Sequence, residues 1–429
     1  MSGYEQLSIS ELKEQLAQLE GVYEGYKSRN LKLDMSRGKP CPEQLDLSMG
    51  MLDLVSSKDT LKASDGMDCR NYGGVDGLPE MKVLFARLLE VDTGEIMIGG
   101  SSSLNLMHDM IARAMLLGVY GSEVPWGKLP VVKFLCPSPG YDRHFAICEL
   151  FQIEMIVIDM QHDGPDMDTI ERLVREDEAI KGIWCVPKYS NPDGITYSDE
   201  VVDRLAAMPT KAADFRIIWD DAYIVHHLTD QPDLLKNMLA ACKKAGNPDR
   251  ALMFASTSKI TFSGSGIAAM AASAANLGFI RKQLSIQTIG PDKINQLRHI
   301  RFLPDLEHIQ VHMAKQAALI RPKFDSVLSK LEAELGDKHL ATWNKPNGGY
   351  FISLNTMDGC AKAVVSKAAE AGVTLTQAGA TYPYGQDPRD RNIRIAPTYP
   401  TLPELESAID VLCLCVQMVS ISKLLSEKP

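Results

Sequence analysis

The chain carries its apolar residues in two rhythms, and the change from one to the other outlines a fold. Through the middle of the sequence, short and nearly continuous apolar runs recur: VVKFL (131–135), IEMIVI (153–158), GIWCV (182–186), RIIW (216–219), ALMFA (251–255) and GIAAMA (266–271). Strands read this way when helices cover both faces of their sheet. Between the runs the spacing turns helical, as at about residues 103–118, just after GGSS. A second such segment is at about 198–210, where Ser198 is placed to cap SDEVVDRLAAM with Val201 three positions on. This alternation predicts an α/β fold, a mostly parallel sheet sandwiched between helices, with ligands gathered at the strand ends.

The pattern then changes character. From about Asp305 to Leu335 it is helical apart from an interruption at Pro322, long enough to bridge two domains. Beyond it NGGYFISL (347–354), GVTLTQ (372–377) and NIRIAP (392–397) read as strands, and LPELESAIDVLCLCVQMVSISKLL as a closing helix, together a smaller α+β unit. The opening MSGYEQLSISELKEQLAQLEGVYEGYK reads as an amphipathic helix, too short to fold alone and expected to pack on that unit. The expected division is an N-terminal helix and arm over 1–50, a large domain over 51–318 and a small C-terminal domain over 319–429.

Composition narrows the partners. At 429 residues, 45% apolar and 23% charged, the chain has the make-up of a globular protein with room for both cores. A net charge of −10 argues against nucleic acid or an anionic membrane as the main partner, so an anionic substrate needs local arginines. Nine cysteines, scattered and without a C-x-x-C pair, fit reduced thiols better than a disulfide framework or a zinc site, and no metal is expected. The polar N-terminus lacks the basic start and apolar core of a signal peptide. No stretch offers the roughly 20 uninterrupted apolar residues of a membrane span; GIAAMAASAANLGFI comes nearest. The expected location is the cytoplasm.

The candidate chemistry gathers around one lysine. Lys259 stands in ASTSKITFSGSGIA, directly after an apolar run, where Ser256 and Ser258 can help hold an anion. Lysine forms Schiff bases with carbonyl groups. RIIWDDAY ends a strand in Asp220 and Asp221, then Tyr223. A carboxylate there can stabilise a protonated ring nitrogen and the tyrosine can reach an oxygen on the same ring; a helix cap is the plain alternative. Asn191 in SNPDG follows another strand and can donate to that oxygen. IMIGGSSSLNLMHDM is a strand, a bend and a helix start whose free N–H groups, with Ser101 and Ser102, suit a phosphate. It matches neither the P-loop nor the dinucleotide fingerprint. Tyr141 in PSPGYDRH is placed to stack on a planar group, and Arg394 in RNIRIAPTYP offers a guanidinium for a carboxylate.

Taken in order, NYGGVDGLPEMK, GGSSS, Tyr141, N-P-x-G, D-x-A-Y, S-x-S-K and the late R-I make this chain resemble a class I pyridoxal-phosphate-dependent aminotransferase of fold type I, over essentially its whole length. STSKITFSGSG and SRGKP are most similar to a divergent bacterial subgroup of aspartate aminotransferases. The resemblance implies pyridoxal 5'-phosphate as cofactor, carried by Lys259, with Asp220 at the ring nitrogen and Tyr223 and Asn191 at the ring oxygen. It implies Tyr141 against the ring, Ser101, Ser102, Ser256 and Ser258 at the phosphate, and Arg394 at the substrate α-carboxylate, with Asn191, Gly38 and Arg37 completing the substrate site. Tyr72 resembles the tyrosine that crosses a dimer interface to the other subunit's phosphate, which implies a homodimer with shared active sites.

The implied reaction exchanges the amino group of L-aspartate with 2-oxoglutarate, giving oxaloacetate and L-glutamate by a ping-pong route. Another amino donor, a lyase using the same cofactor and a non-catalytic sensor domain are the alternatives. Arg37 and Arg143 are the candidates for a distal carboxylate. One departure stands out: eight residues after the lysine, where many class I enzymes carry a phosphate-binding arginine, this chain has Ile267. The phosphate charge then has to be balanced from elsewhere.

Overall fold

The apolar runs of the middle region all form strands, and those at the centre of the sheet are buried on both faces, as their continuous hydrophobicity requires. The computed structural model describes residues 3–428. Among them the strands are, in chain order, β1 (Leu33–Asp34), β2 (Ile96–Ile98), β3 (Lys133–Ser138), β4 (Glu154–Gln161), β5 (Gly164–Pro165), β6 (Ile180–Cys185), β7 (Arg216–Asp220), β8 (Ala251–Ser256), β9 (Ala268–Ala272), β10 (Ala341–Trp343), β11 (Ile352–Thr356), β12 (Val373–Thr374) and β13 (Asn392–Ile395). The large sheet has the order β2-β9-β8-β7-β6-β3-β4-β5. From β8 to β4 the neighbours run parallel, while β9 is antiparallel to both β8 and β2. Residues 257–267 are too short for a crossover helix, so the chain leaving β8 returns antiparallel as β9. That return is the segment that carries Lys259.

The expected helices are present at Ser103–Leu117 and Asp199–Ala207, the latter capped by the Ser198 side chain accepting from the Val201 N–H. The long helix Leu306–Leu335 continues through Pro322 instead of breaking there. Ile320 and Phe324, on either side, bury into one core, and that packing outweighs the roughly 3 kcal/mol a helical proline costs. That core also takes Leu12 and Tyr23 of the N-terminal helix Ile9–Ser28, Leu354 of the antiparallel β10-β11-β13 sheet, and Leu412 and Ile421 of the closing helix Leu402–Glu427. The Tyr23 hydroxyl donates to the Lys367 carbonyl at 2.8 Å. GVTLTQ forms only the two-residue strand β12, because its partner β1 pairs Leu33 with Val373 and Asp34 with Thr374 and no further. The closing helix, more than GIAAMAASAANLGFI, has the length and mean hydropathy, 1.8, to cross a membrane, and 72% of that stretch is buried inside the protein.

The return loop is pinned by buried histidines. The His299 Nδ1 donates to the Asn295 carbonyl at 2.8 Å, leaving Nε2 to accept from Thr261 (2.9 Å) and Thr257 (3.2 Å). His226 Nε2 donates to the Lys259 carbonyl at 3.3 Å, and His312 Nε2 to the Ile260 carbonyl at 2.7 Å. Burial pushes the pKa of His226 down to about 3 and those of His227 and His299 to about 4.

Two predictions follow from this packing. Gly372 has a left-handed backbone, φ +85, and an added Cβ would stand 2.0 Å from the Leu31 carbonyl oxygen. Gly372→Ala therefore forces the arm off β12, with an expected loss of more than about 1 kcal/mol in urea unfolding. The histidines bind protons in the unfolded chain at pH values where they stay neutral when folded. Their contribution is full above about pH 6.5 and is lost as pH falls toward about 4. Asp193, pushed up to about 6 by burial, and Asp221, also raised by burial, act in the opposite sense, but they are two groups against four once His312, likewise lowered by burial, is counted. Unfolding free energy measured across that window should fall on acidification; a flat profile contradicts the assignment.

Candidate active site

The parallel strands β3, β6, β7 and β8 all end on one side of the sheet, and the segments leaving them meet around a cavity of about 700 Å³. Tyr141, Asn191, Asp220, Tyr223, Ser256, Ser258 and Lys259 line it from the large sheet. Arg394 enters from β13, and Arg37 and Gly38 from the N-terminal arm. Seven predicted positions separated by over a hundred residues thus face one space because strand ends are where a doubly covered sheet exposes its chain.

Asp220, the last residue of β7, is 2% exposed. His144 Nε2 donates to its Oδ2 at 3.2 Å, while Oδ1 has no protein partner. His144 is held by stacking on Trp184 (4.3 Å between centroids, 11° between planes) and by the edge of Tyr141 at 4.9 Å. Adjacent residues of a strand face opposite sides, so Asp221 turns away into a separate cavity with Trp219 and Lys188, its pKa raised by burial and then by Asp220. The structure thereby separates the two aspartates that the sequence left side by side. The Lys259 ammonium lies 5.0 Å from the centroid of the buried Tyr223 ring. Desolvation lowers the lysine pKa, and the Asp220 charge offsets part of that shift.

Arg394 is 7% exposed, packed 4.9 Å from the Phe351 ring, and its Nη1 donates to Asp142 Oδ1 (2.9 Å) and Asn191 Oδ1 (3.3 Å). Its Nε is buried without a partner. Gly38 packs on the same Phe351 ring, where an added Cβ would stand 2.4 Å from its Cζ, and this brings Arg37 to the same rim. Arg143 and Lys39 also line the cavity. Five cations and two carboxylates therefore surround it, in a chain whose net charge is −10.

On the other wall, the helix Ser103–Leu117 points its N-terminus at the cavity, with Ser102 as cap. Ser256 Oγ donates to Ser258 Oγ (3.1 Å), Ser258 Oγ to the Ser101 carbonyl (3.2 Å) and Ser263 Oγ to the Ser258 carbonyl (2.8 Å). Hydroxyls and helix N–H groups together form an anion cradle. Ser101 meets it through its carbonyl, and its side chain is not among the lining groups. Tyr72 is 79% exposed and outside the cavity of this single chain. Ile267 is buried in the core below the loop.

Sequence reasoning missed His144, Asp142 and Ser263. His144 lies one helical turn after Tyr141, and that spacing behind a strand was the available signal. Asp142 and Ser263 carry no local signature; only the approach of β13 and the fold of the return loop give them partners.

The family model described as aspartate amino-transferase matches residues 7–428. A protein of Mycolicibacterium smegmatis is 49% identical over 407 residues, 95% of this chain and 95% of its own. An aspartate aminotransferase of Corynebacterium glutamicum is 46% identical over 398 residues, 93% of this chain and 92% of that protein. The crystal structure of an aspartate transaminase from Corynebacterium glutamicum superimposes with a TM-score of 0.96 at 43% identity, covering 99% of both chains. Matches that span the sheet, the closing helix and every wall of the cavity place the whole chain, and it belongs to the aspartate aminotransferase family.

Proposed function

We propose that this protein transfers the amino group of L-aspartate to 2-oxoglutarate with pyridoxal 5'-phosphate as cofactor, forming oxaloacetate and L-glutamate. The observation that carries the reading is the Asp220 oxygen left without a protein partner, buried in the same cavity as Lys259 and the serine cradle. A buried carboxylate oxygen fits a protonated ring nitrogen, and hydroxyls at a helix N-terminus fit a phosphate, so the residues present suit the cofactor. When bound, the cofactor supplies a carbonyl for the amino group and a ring that spreads the negative charge left at Cα.

The chain's own groups do the rest. Lys259, with its pKa lowered, is a good nucleophile and moves the proton from the substrate Cα. Asp220, fixed by His144, would hold a proton on the ring nitrogen through its free Oδ1. Tyr223 and Asn191 would hydrogen-bond the ring oxygen, Tyr141 would pack on the ring, and Ser102, Ser256 and Ser258 would hold the phosphate with the Ser101 segment behind them. Arg394 orients the α-carboxylate so that Cα–H faces Lys259. The large domain over 51–318, and the small domain over 319–429 with the 1–50 arm, supply opposite walls. A homodimer would bring Tyr72 to the other subunit's phosphate and give this exposed aromatic a partner.

Adding L-aspartate without 2-oxoglutarate to the purified holoprotein is expected to change its visible absorbance and release oxaloacetate. Lys259→Ala should lower turnover about a thousandfold or more. A spectrum that responds to other amino acids and not to aspartate would sink the substrate assignment. For the distal carboxylate the expected partner is Arg37, because Gly38 and Phe351 tie it to Arg394. Arg37→Leu should cut kcat/KM for aspartate about tenfold or more and leave that for alanine within error, as loss of a charge-assisted contact predicts. An equal fall for both amino acids counts against it.

A further inference from the structure

The isoleucine where an arginine was expected is built into the core. Ile267 is 2% exposed and its N–H donates to Thr257 Oγ1 at 2.9 Å, so the position packs beneath the lysine loop. The outer turn of that loop is gripped by the helix Lys293–Phe302. Asn295 Nδ2 donates to the carbonyls of Ser265 (3.1 Å) and Gly266 (3.0 Å). Arg298 Nη2 donates to Ser265 Oγ at 2.8 Å and to Asn295 Oδ1. Gly266 lies directly against the cradle, since a Cβ there would stand 2.8 Å from the Ser101 carbonyl oxygen and 3.2 Å from the Ser258 nitrogen. Arg298 is therefore one layer behind the wall of hydroxyls and amides that faces the cavity.

Its electrostatic account is incomplete. Nε of Arg298 is buried with no partner, and its Nη2 contacts are neutral oxygens. Among the described residues no carboxylate forms an ion pair with it. A half-buried guanidinium without a counter-ion is stable where an anion lies close. The other cationic side chains of the helix are committed elsewhere, Lys293 to the Gly73 carbonyl at 2.8 Å and Arg301 to the Leu54 (2.6 Å) and Thr60 (2.7 Å) carbonyls, while the neutral His299 accepts at Nε2 from two threonines.

We infer that Arg298 is the cation that balances a phosphate in the serine cradle, acting through Ser265 as a positioning residue in place of the arginine that Ile267 displaces. The guanidinium orients the Ser265 hydroxyl and the loop around Gly266, and its charge reaches the anion through a protein wall that screens poorly. This inference rests on the proposed cofactor.

The test is absorbance titration of the apoprotein with pyridoxal 5'-phosphate and with pyridoxal, which lacks the phosphate. Arg298→Met is expected to weaken pyridoxal 5'-phosphate binding about tenfold or more while leaving pyridoxal unchanged. Arg298→Lys, which keeps the charge, should retain most of the preference for the phosphorylated ligand. Equal weakening of both ligands by Arg298→Met, or of neither, overturns the inference. If Arg298→Met does not fold, Arg298→Lys decides: retained preference supports the role of charge, and its loss overturns it. A wild-type protein that binds the two ligands equally overturns the cofactor reading itself, which separates that failure from this one.

Discussion

Asp220 ends a strand buried on both faces, so its carboxylate is cut off from bulk water and has to be satisfied by whatever folds against it. An unpaired charge in that position costs several kcal/mol, even after relaxation. One oxygen is met by His144, which is itself locked between Trp184 and Tyr141. The second oxygen faces the cavity, and the ammonium of Lys259 arrives from the adjacent strand, where Asp220 is in register with Phe254. Strand order, the stacked imidazole and the lysine loop all answer to this one buried charge.

The loop gains its rigidity from the short return between β8 and β9. Because the chain cannot form a crossover helix there, its carbonyls find no regular partners and are taken up by side chains from elsewhere. His226 meets the Lys259 carbonyl, and His312 and Gln316 share that of Ile260. Such contacts fix where the lysine side chain starts, which catalysis by a positioned amine requires. They also place neutral imidazoles in a buried layer, so the same arrangement that orders the site makes it sensitive to acid.

How much of this was legible depends on whether the cause was local. Lys259, Asp220, Tyr223, Asn191 and Tyr141 could be read because each follows an apolar run, and a buried strand must release its chain at its end. Arg394 could be read from its motif, though its partners Asp142 and Asn191 could not, since they approach from distant segments. The helix through Pro322 and the shortness of β12 escaped for the same reason: packing decides the first, and the length of a partner strand decides the second. Tyr72 is the limiting case, an exposed ring outside the cavity whose proposed role needs a second chain.

The charge layout bears on which acids the cavity prefers. Arg394 is already paired with Asp142 through Nη1, so in its proposed role it meets an α-carboxylate with its charge partly neutralised and offers less than a bare guanidinium would. Asp142 holds the side chain in place before substrate arrives, and that order comes at the expense of affinity for any single carboxylate. A dicarboxylate has a further contact available, because Arg37 and Arg143 line the same cavity and form no ion pair among the described residues. Selectivity is a difference between affinities. A site that discounts the first carboxylate and leaves the second its full value favours the acid that carries both.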